Sequence, residues 1–294
     1  MGRVLPCAGV RRGRHGVGIL DRVERVVRLG CRCRPAAVAA VGAGKVTVSG
    51  TGGQGTVGSN IGVYIDNAST VVSSQGADIN IIGQGGNGAK SVGVLIGGGT
   101  VGVAAGTTSA NVILTTDSVQ LQTSTINSGA GTTTIQNKTA GTLVNVGGAD
   151  VLNATQLTLG ITNAEMNLIK AGTLKIGSTT SGAMTTTAAV TTAATTGNVY
   201  LQSGSTLTAS SAFTSGAGLL LQTTGGAIST TAALAGTNVS LDNTGGTINW
   251  SSGALTAGAN SGSATNAVNI ASSITATGNV NILGNVATTT NTGC

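Results

Sequence analysis

The segment Val199-Tyr200-Leu201-Gln202 returns as Leu219-Leu220-Leu221-Gln222 and again as Val239-Ser240-Leu241-Asp242. The copies are 20 residues apart, and their first and third positions are apolar, as in a strand with one buried face. A fixed period of this length is typical of solenoids and repeat arrays. The third position of each copy predicts one stacked interior column, formed by Leu201, Leu221 and Leu241.

Two further segments recur with nearly the same spacing. Gly225–Ile228 is matched by Gly245–Ile248, and a large apolar residue returns at Phe213, Leu234 and Leu255. Each period therefore holds three short strand-like segments, separated by Gly, Asn, Ser and Thr, which favour turns. An earlier pair of copies, Ile61–Ile65 and Val92–Ile96, lies 31 residues apart and shows the same alternation.

Composition agrees with a narrow core. The chain has 1% aromatic residues, 7% charged residues and 49 glycines among 294 residues. Most of its apolar residues are Ala and Val, which cannot fill the thick core of a sandwich, and the periodic aromatics of a propeller are missing. We therefore predict an all-β fold, a parallel β-helix (β-solenoid), over residues 46–294.

The first 45 residues form an unlike, arginine-rich extension. Residues 1–45 hold ten basic and two acidic side chains, a balance of +8, whereas residues 46–294 hold four lysines and six acids, a balance of −2. Ile19–Leu29 has the apolar spacing and the i,i+4 ion pairs of a short amphipathic helix. Two interpretations stay open: a helix that caps the β stack, or an extension that is not native to the domain.

No cofactor or metal site is predicted. Cys7, His15, Cys31 and Cys33 supply the residue types of a zinc site, but the Cys-x-Cys spacing is unusual for one. Gly50–Gly55 matches the Gly-x-Gly-x-x-Gly pattern, and Gly83–Ser91 resembles a phosphate-binding loop. Both are followed by predicted strands instead of the helix that such sites require, so we interpret them as turns.

No catalytic residues are predicted either. General acid–base chemistry needs two positioned titratable groups, and no two acids of the repeat region fall at equivalent positions in adjacent turns. We expect a protein that is not an enzyme; the alternative is a polysaccharide-acting β-helix lyase or hydrolase. The acids of the repeat region are Asp66, Asp78, Asp117, Asp150, Glu165 and Asp242.

Two local patterns add detail. Asn-Val-x-Leu/Ile recurs at Asn111, Asn198, Asn238 and Asn279, which predicts either stacked asparagine amides at the coil corners or simple turn residues. Thr162-Asn163-Ala164-Glu165 has the spacing of a capping box. It predicts one helical turn lying against the stack, followed by a strand over Thr173–Ile176.

Three stretches, Ile61–Gly76, Ile161–Thr185 and Asn198–Ile248, resemble the β-strand-repeat stems of large bacterial surface and secreted proteins, similar to filamentous haemagglutinin-like adhesins. The resemblance covers residues 46–294 and implies a right-handed parallel β-helix, export to the cell surface or exterior, and a role in attachment or spacing. It implies a host-surface, glycan or matrix ligand. We further expect this chain to be a fragment of a longer polypeptide, incomplete at its C-terminal end and packed against neighbouring repeats.

The sequence also limits the partners. The nearly neutral repeat region offers no basic track for nucleic acid, and no run approaches the length of a membrane span. An uncovered strand edge at the C-terminal end is a template for pairing with a second copy. We therefore expect end-to-end self-association, which Cys294 would reinforce by an intermolecular disulfide.

Overall fold

Parallel strands dominate the computed structural model of this chain. It describes residues 44–250 apart from 56–58, 67, 89, 153–155 and 244–247, together with seven strands outside that range. Within these residues, all the strands that pair do so in parallel and form four sheets. The protein is a parallel β-solenoid, as predicted, since most strands pair with the equivalent strands of the neighbouring coils.

The longest sheet collects strands from ten successive positions along the stack and three more from a second face. Its members are β1 (Val26–Val27), β3 (Ala37–Ala40), β4 (Val46–Thr51), β6 (Val71–Ser74), β7 (Ile79–Gln84), β9 (Thr100–Val103), β10 (Val112–Thr115), β12 (Thr125–Gln136), β15 (Ile169–Gly177), β18 (Thr196–Ser203), β21 (Leu219–Thr223), β24 (Val239–Asn243) and β27 (Val268–Ile270).

The other three sheets occupy different parts of the stack. The second contains β2 (Cys31–Cys33), β5 (Val63–Ile65), β8 (Val94–Ile96) and β11 (Val119–Leu121). The third contains β13 (Leu143–Val146), β14 (Thr158–Ile161), β16 (Met184–Thr186), β19 (Leu207–Ala209), β22 (Ile228–Thr230), β25 (Ile248–Trp250) and β28 (Ile274–Ala276). The fourth contains β17 (Val190–Thr191), β20 (Phe213–Thr214), β23 (Leu234–Gly236), β26 (Leu255–Ala257) and β29 (Ile282–Leu283).

The predicted register is confirmed in the C-terminal half. Leu201 pairs with Leu221, and Leu221 pairs with Leu241; all three side chains are buried. Phe213 likewise pairs with Leu234. Successive residues of β21 and β24 alternate between buried and partly exposed, so the interior is a narrow column of aliphatic side chains.

Two faces of the stack merge at β12. Its first residues pair with β9, where Ile126 lies opposite Val101, and its last residues pair with β10, where Ile135 lies opposite Leu114. A register shift at Gly129, whose φ of +58° suits glycine, lets one strand serve both faces. From this point onward the longest sheet continues through β15, β18 and β21.

The strand pairs begin before the predicted domain boundary at residue 45. Val26 pairs with Thr47, Cys31 with Val63, and Ala37 with Val71. The helix predicted over Ile19–Leu29 is wrong at Val26–Val27, which form β1; the rest of that segment lies outside the described residues. The physical reason is that an isolated eleven-residue helix is marginal, whereas β4 offers the two valines a backbone partner.

The single predicted helical turn is present. Helix α1 (Asn163–Met166) begins at Thr162, whose side-chain oxygen accepts a hydrogen bond from the Glu165 amide at 3.3 Å. The strand predicted over Thr173–Ile176 is part of β15. Across the described part of the chain, no helix has the length and apolar character needed to cross a membrane.

Candidate functional site

The regular coil is interrupted between β13 and β15. After β13 the chain enters a return loop, of which residues 147–152, 156 and 157 are described, and β14 then pairs in parallel with β13 instead of with β11. In the described residues β11 is the last strand of the second sheet, although β14 and β11 lie side by side. Two neighbouring strands therefore meet here without a backbone ladder between them.

Glu165 connects the helical turn to the end of that sheet. Its Oε2 accepts hydrogen bonds from the Thr162 amide at 2.9 Å and from the Thr162 hydroxyl at 2.8 Å. Its Oε1 accepts a hydrogen bond from the amide of Leu121 on β11 at 3.0 Å. Both carboxylate oxygens are thus engaged, and one of them holds β11.

Asp150 makes a similar connection from the return loop. Its Oδ1 accepts a hydrogen bond from the amide of Gly160 on β14 at 2.7 Å, and the amide of Val119 on β11 also interacts with this carboxyl group. Its Oδ2 is shielded from solvent and has no hydrogen-bond partner among the described residues. The two acids therefore reach both strands at the interruption.

These carboxyl groups stand where the next strand would offer carbonyl oxygens. The Gln122 amide donates back to Ile96 of β8 at 3.0 Å. In a parallel strand alternate residues face opposite neighbours, so the amides of Val119 and Leu121 face the interruption. A buried amide without an acceptor is costly, and Asp150 and Glu165 supply the acceptors that β14 does not.

The setting changes the acidity of one carboxyl group. Burial raises the pKa of Asp150 from 3.8 to about 8, and the negative charge of Glu165 adds to the rise. The hydrogen bonds from Gly160 and Val119 act in the opposite direction. Desolvation is the largest cause, because a charged oxygen without hydrogen-bond donors is poorly stabilised away from water. Asp150 is therefore mainly protonated at neutral pH.

A shallow groove of about 360 Å³ lies over this interruption. Its walls come from β11, the return loop and α1, and they include Gln120, Gln122 and Leu152 beside the two acids. A neutral acid next to a carboxylate is the arrangement that glycoside hydrolysis uses. Here the free oxygen of Asp150 is shielded and Glu165 is fully engaged, so the groups are better placed to hold strands than to reach a substrate.

This pair escaped the sequence analysis, which looked for acids in adjacent turns. Asp150 and Glu165 belong to one enlarged coil and meet because the chain folds back on itself between them. The available signal was the capping box at Thr162, since the capping hydrogen bonds use one oxygen of Glu165 and leave the other to reach another strand. The length of the return loop gave no comparable signal for Asp150.

A second surface lies on the outer side of β15, β18, β21 and β24. Lys175 Nζ lies 4.7 Å from the centroid of the Tyr200 ring, and burial lowers the pKa of that lysine and raises the pKa of the tyrosine. The Gln202 amide donates to Tyr200 Oη at 2.8 Å, and the Gln222 amide donates to Asp242 at 2.7 Å. These side chains form a polar row that crosses successive coils.

At Asn111 and Asn198 the side-chain amides bond to groups other than a stacked asparagine, whereas Asn279 lies outside the described residues. The Asn198 side-chain oxygen accepts a hydrogen bond from the amide of Gly218 at 3.0 Å. Gly218 is the residue equivalent to Asn198 in the next coil, and Asn238 is the equivalent residue one coil further on. Asn111 similarly bonds Asp78 at 3.1 Å and the Thr132 amide at 3.0 Å. Amide-on-amide contacts between coils occur elsewhere: between Gln202 and Gln222, which are paired in register, and between Asn87 and Gln54.

The glycine-rich loops serve coil packing. Gly50 and Gly83 are opposite each other on β4 and β7. A Cβ at Gly50 would overlap the carbonyl oxygen of Gly62, and a Cβ at Gly83 would overlap that of Gly93. These glycines are explained by the close approach of backbone to backbone.

The structure describes only part of the Cys and His set that was considered as a zinc site. Cys31 and Cys33 lie on β2 opposite Val63 and Ile65, whereas Cys7, His15 and Cys294 lie outside the described residues. In the part of the chain that the structure describes, no three His, Cys, Asp or Glu residues form a group able to hold a metal ion.

Comparison with models of known protein families, with curated proteins and with solved structures finds no match.

Proposed function

We propose that this chain is a non-enzymatic structural or adhesive stem of an exported bacterial surface protein, working by attachment or spacing outside the cell. One observation carries the proposal: strand pairing continues without a break from β12 through β15, β18, β21, β24 and β27. A stack of this kind grows in length without changing its cross-section, because each coil contacts mainly its neighbours. Length is therefore the property that the fold provides.

The surface supports the same proposal. The outward positions of β21 and β24 carry Leu220, Gln222, Ser240 and Asp242, and polar contacts such as that between Gln222 and Asp242 run along the stack. Such a surface offers a repeated contact to a glycan or matrix ligand, and it is nearly neutral because the repeat region has few charges.

Removing one coil tests the proposal. Val199, Leu219 and Val239 occupy equivalent positions, so deletion of residues 219–238 preserves the register on both sides. Small-angle scattering should show a particle shorter by about 4.8 Å, the spacing of adjacent strands. Beads carrying either version should adhere to matrix or glycan-coated surfaces more strongly than beads carrying the heat-denatured chain. Adhesion no greater than that of the denatured control would contradict an adhesive role.

The groove at Asp150 and Glu165 favours a second candidate, a polysaccharide-acting enzyme. It is weaker because the free oxygen of Asp150 is shielded from solvent. Polysaccharides incubated with the chain, with and without Ca²⁺, provide the test. Cleavage that is lost in both Asp150→Asn and Glu165→Gln, but retained in Asp242→Asn, would replace the stem proposal with the enzyme.

A further inference from the structure

We propose that Asp150 makes the joint between β11 and β14 a pH-sensitive latch, which is tight when the side chain is protonated and loosens as the solution becomes more alkaline. The latch concerns the stack itself and does not depend on what the stem binds.

The joint lacks the backbone ladder that holds other coils together. Among the described strands, β11 pairs with β8 alone and β14 with β13 alone. Two side chains make the connection instead: Asp150 bonds Gly160 and interacts with Val119, and Glu165 bonds Leu121. Loss of these few hydrogen bonds would part the two strands without breaking a continuous sheet.

Asp150 is the member of the pair that responds to pH. The closed joint shields its Oδ2 from solvent and from hydrogen-bond donors, and α1 places the negative charge of Glu165 nearby. Both features favour the protonated form. The strands packed against Asp150, β11 (Val-Gln-Leu) and β14 (Thr-Leu-Gly-Ile), carry no titratable side chain, and the described residues of the return loop add none.

The direction of the effect follows from proton linkage. In the open joint Asp150 meets water, where its pKa returns toward 3.8, whereas in the closed joint its pKa is about 8. Opening therefore releases a proton across this interval, so a rise in pH favours opening. The contribution of the latch is complete below pH 3.8, declines as pH rises, and changes no further above about pH 8.

Hydrogen exchange at pH 5 and pH 7.5 tests the latch. Protection factors, corrected for the intrinsic pH dependence of exchange, are measured for peptides covering residues 119–122 and 158–162, with residues 199–223 as an internal reference. In the wild-type chain the two joint peptides should lose at least about tenfold in protection over this range. The reference peptide should change less than about twofold.

Variants separate the latch from general effects of pH. Asp150→Asn keeps an oxygen for Gly160 but is neutral at every pH, so protection at the joint should become nearly independent of pH. Asp242→Asn, on a distant strand, should behave as the wild type does. The proposal would be overturned if the joint peptides of Asp150→Asn lost as much protection between pH 5 and pH 7.5 as those of the wild type. Protection in the wild type that stayed constant over this range would overturn it as well.

A second variant keeps the test decisive if Asp150→Asn does not fold. Glu165→Gln removes the negative charge that helps raise the pKa of Asp150. The loss of protection should then level off at a lower pH than in the wild-type chain. An unchanged profile in Glu165→Gln would contradict the electrostatic connection on which the latch depends.

Discussion

Leu201 and Leu221 lie opposite each other on adjacent parallel strands, and both side chains are completely buried. Their contact repeats along the stack, because Leu221 also pairs with Leu241 on the following strand. Each buried leucine removes enough apolar surface from water to contribute about 1.5–3 kcal/mol. The interior of the solenoid is therefore a series of equivalent contacts with no single central core.

Leu221→Ala should destabilise the stack more than the same change one residue earlier. The buried site has neighbours on both sides, so truncation leaves a cavity and should lower the free energy of unfolding by about 2–5 kcal/mol. Leu220→Ala is the matched control, since Leu220 is partly exposed; its cost should stay below about 1.5 kcal/mol. Urea denaturation followed by circular dichroism measures both. Equal costs would show that the register of β21 is wrong.

Gly83→Ala should destabilise the N-terminal coils. A Cβ at this position would overlap the carbonyl oxygen of Gly93, and backbone cannot move aside as a flexible side chain can. We expect a loss of about 1–3 kcal/mol or more in the free energy of unfolding. Gly216→Ala is the control, because there the nearest atoms lie 3.8 Å or more from the added carbon. Similar thermal midpoints for the two variants would contradict the close-packing argument.

Asp117→Ala should lower the free energy of unfolding, because it removes a buried hydrogen-bond acceptor. Its buried carboxylate accepts hydrogen bonds from the amides of Lys138 at 2.9 Å and Thr139 at 2.8 Å, and from the hydroxyl of Thr142 at 2.9 Å. Hydrogen bonds to a charged group contribute about 1.5–3 kcal/mol, so a loss of at least that size is expected in chemical denaturation.

Asp78→Ala provides the comparison for Asp117. Asp78 makes a partly exposed ion pair with Lys45 at 3.5 Å and accepts a hydrogen bond from the Asn111 amide at 3.1 Å; such surface ion pairs contribute about 0–1 kcal/mol. A greater loss from Asp78→Ala than from Asp117→Ala would mean that the surface pair, and not the buried carboxylate, stabilises these coils.

The pH dependence of global stability should reveal the buried acid at Asp150. Its pKa is about 8 in the folded chain and 3.8 for the ordinary group, so the unfolded state binds fewer protons between these values. The free energy of unfolding should fall as pH rises from 4 toward 8. Guanidinium denaturation at several pH values checks this, and Asp150→Asn should show a shallower decline. A parallel decline in both proteins would assign the effect to other groups.

Repetition explains why so much of the fold was predictable. Copies of equal length place Leu201, Leu221 and Leu241 in one column without further information, since each coil repeats the same turn lengths. The capping box at Thr162 was equally predictable, because all its hydrogen bonds join residues that are close in sequence. Where coils differ in length, as around Gly129 in β12, spacing alone could not predict that one strand would join two faces.

The sequence by itself determined the class of structure: alternating apolar positions at a 20-residue period allow parallel strands to stack around a narrow aliphatic interior. Only the tertiary structure decided that Asp150 and Glu165 meet at the end of β11. A periodic contact is repeated at every coil and leaves its mark on composition and spacing. The fold-back of the chain occurs at one place and leaves no repeated pattern in the sequence. Its side-chain contacts depend on which buried amides of the neighbouring strand lack an acceptor.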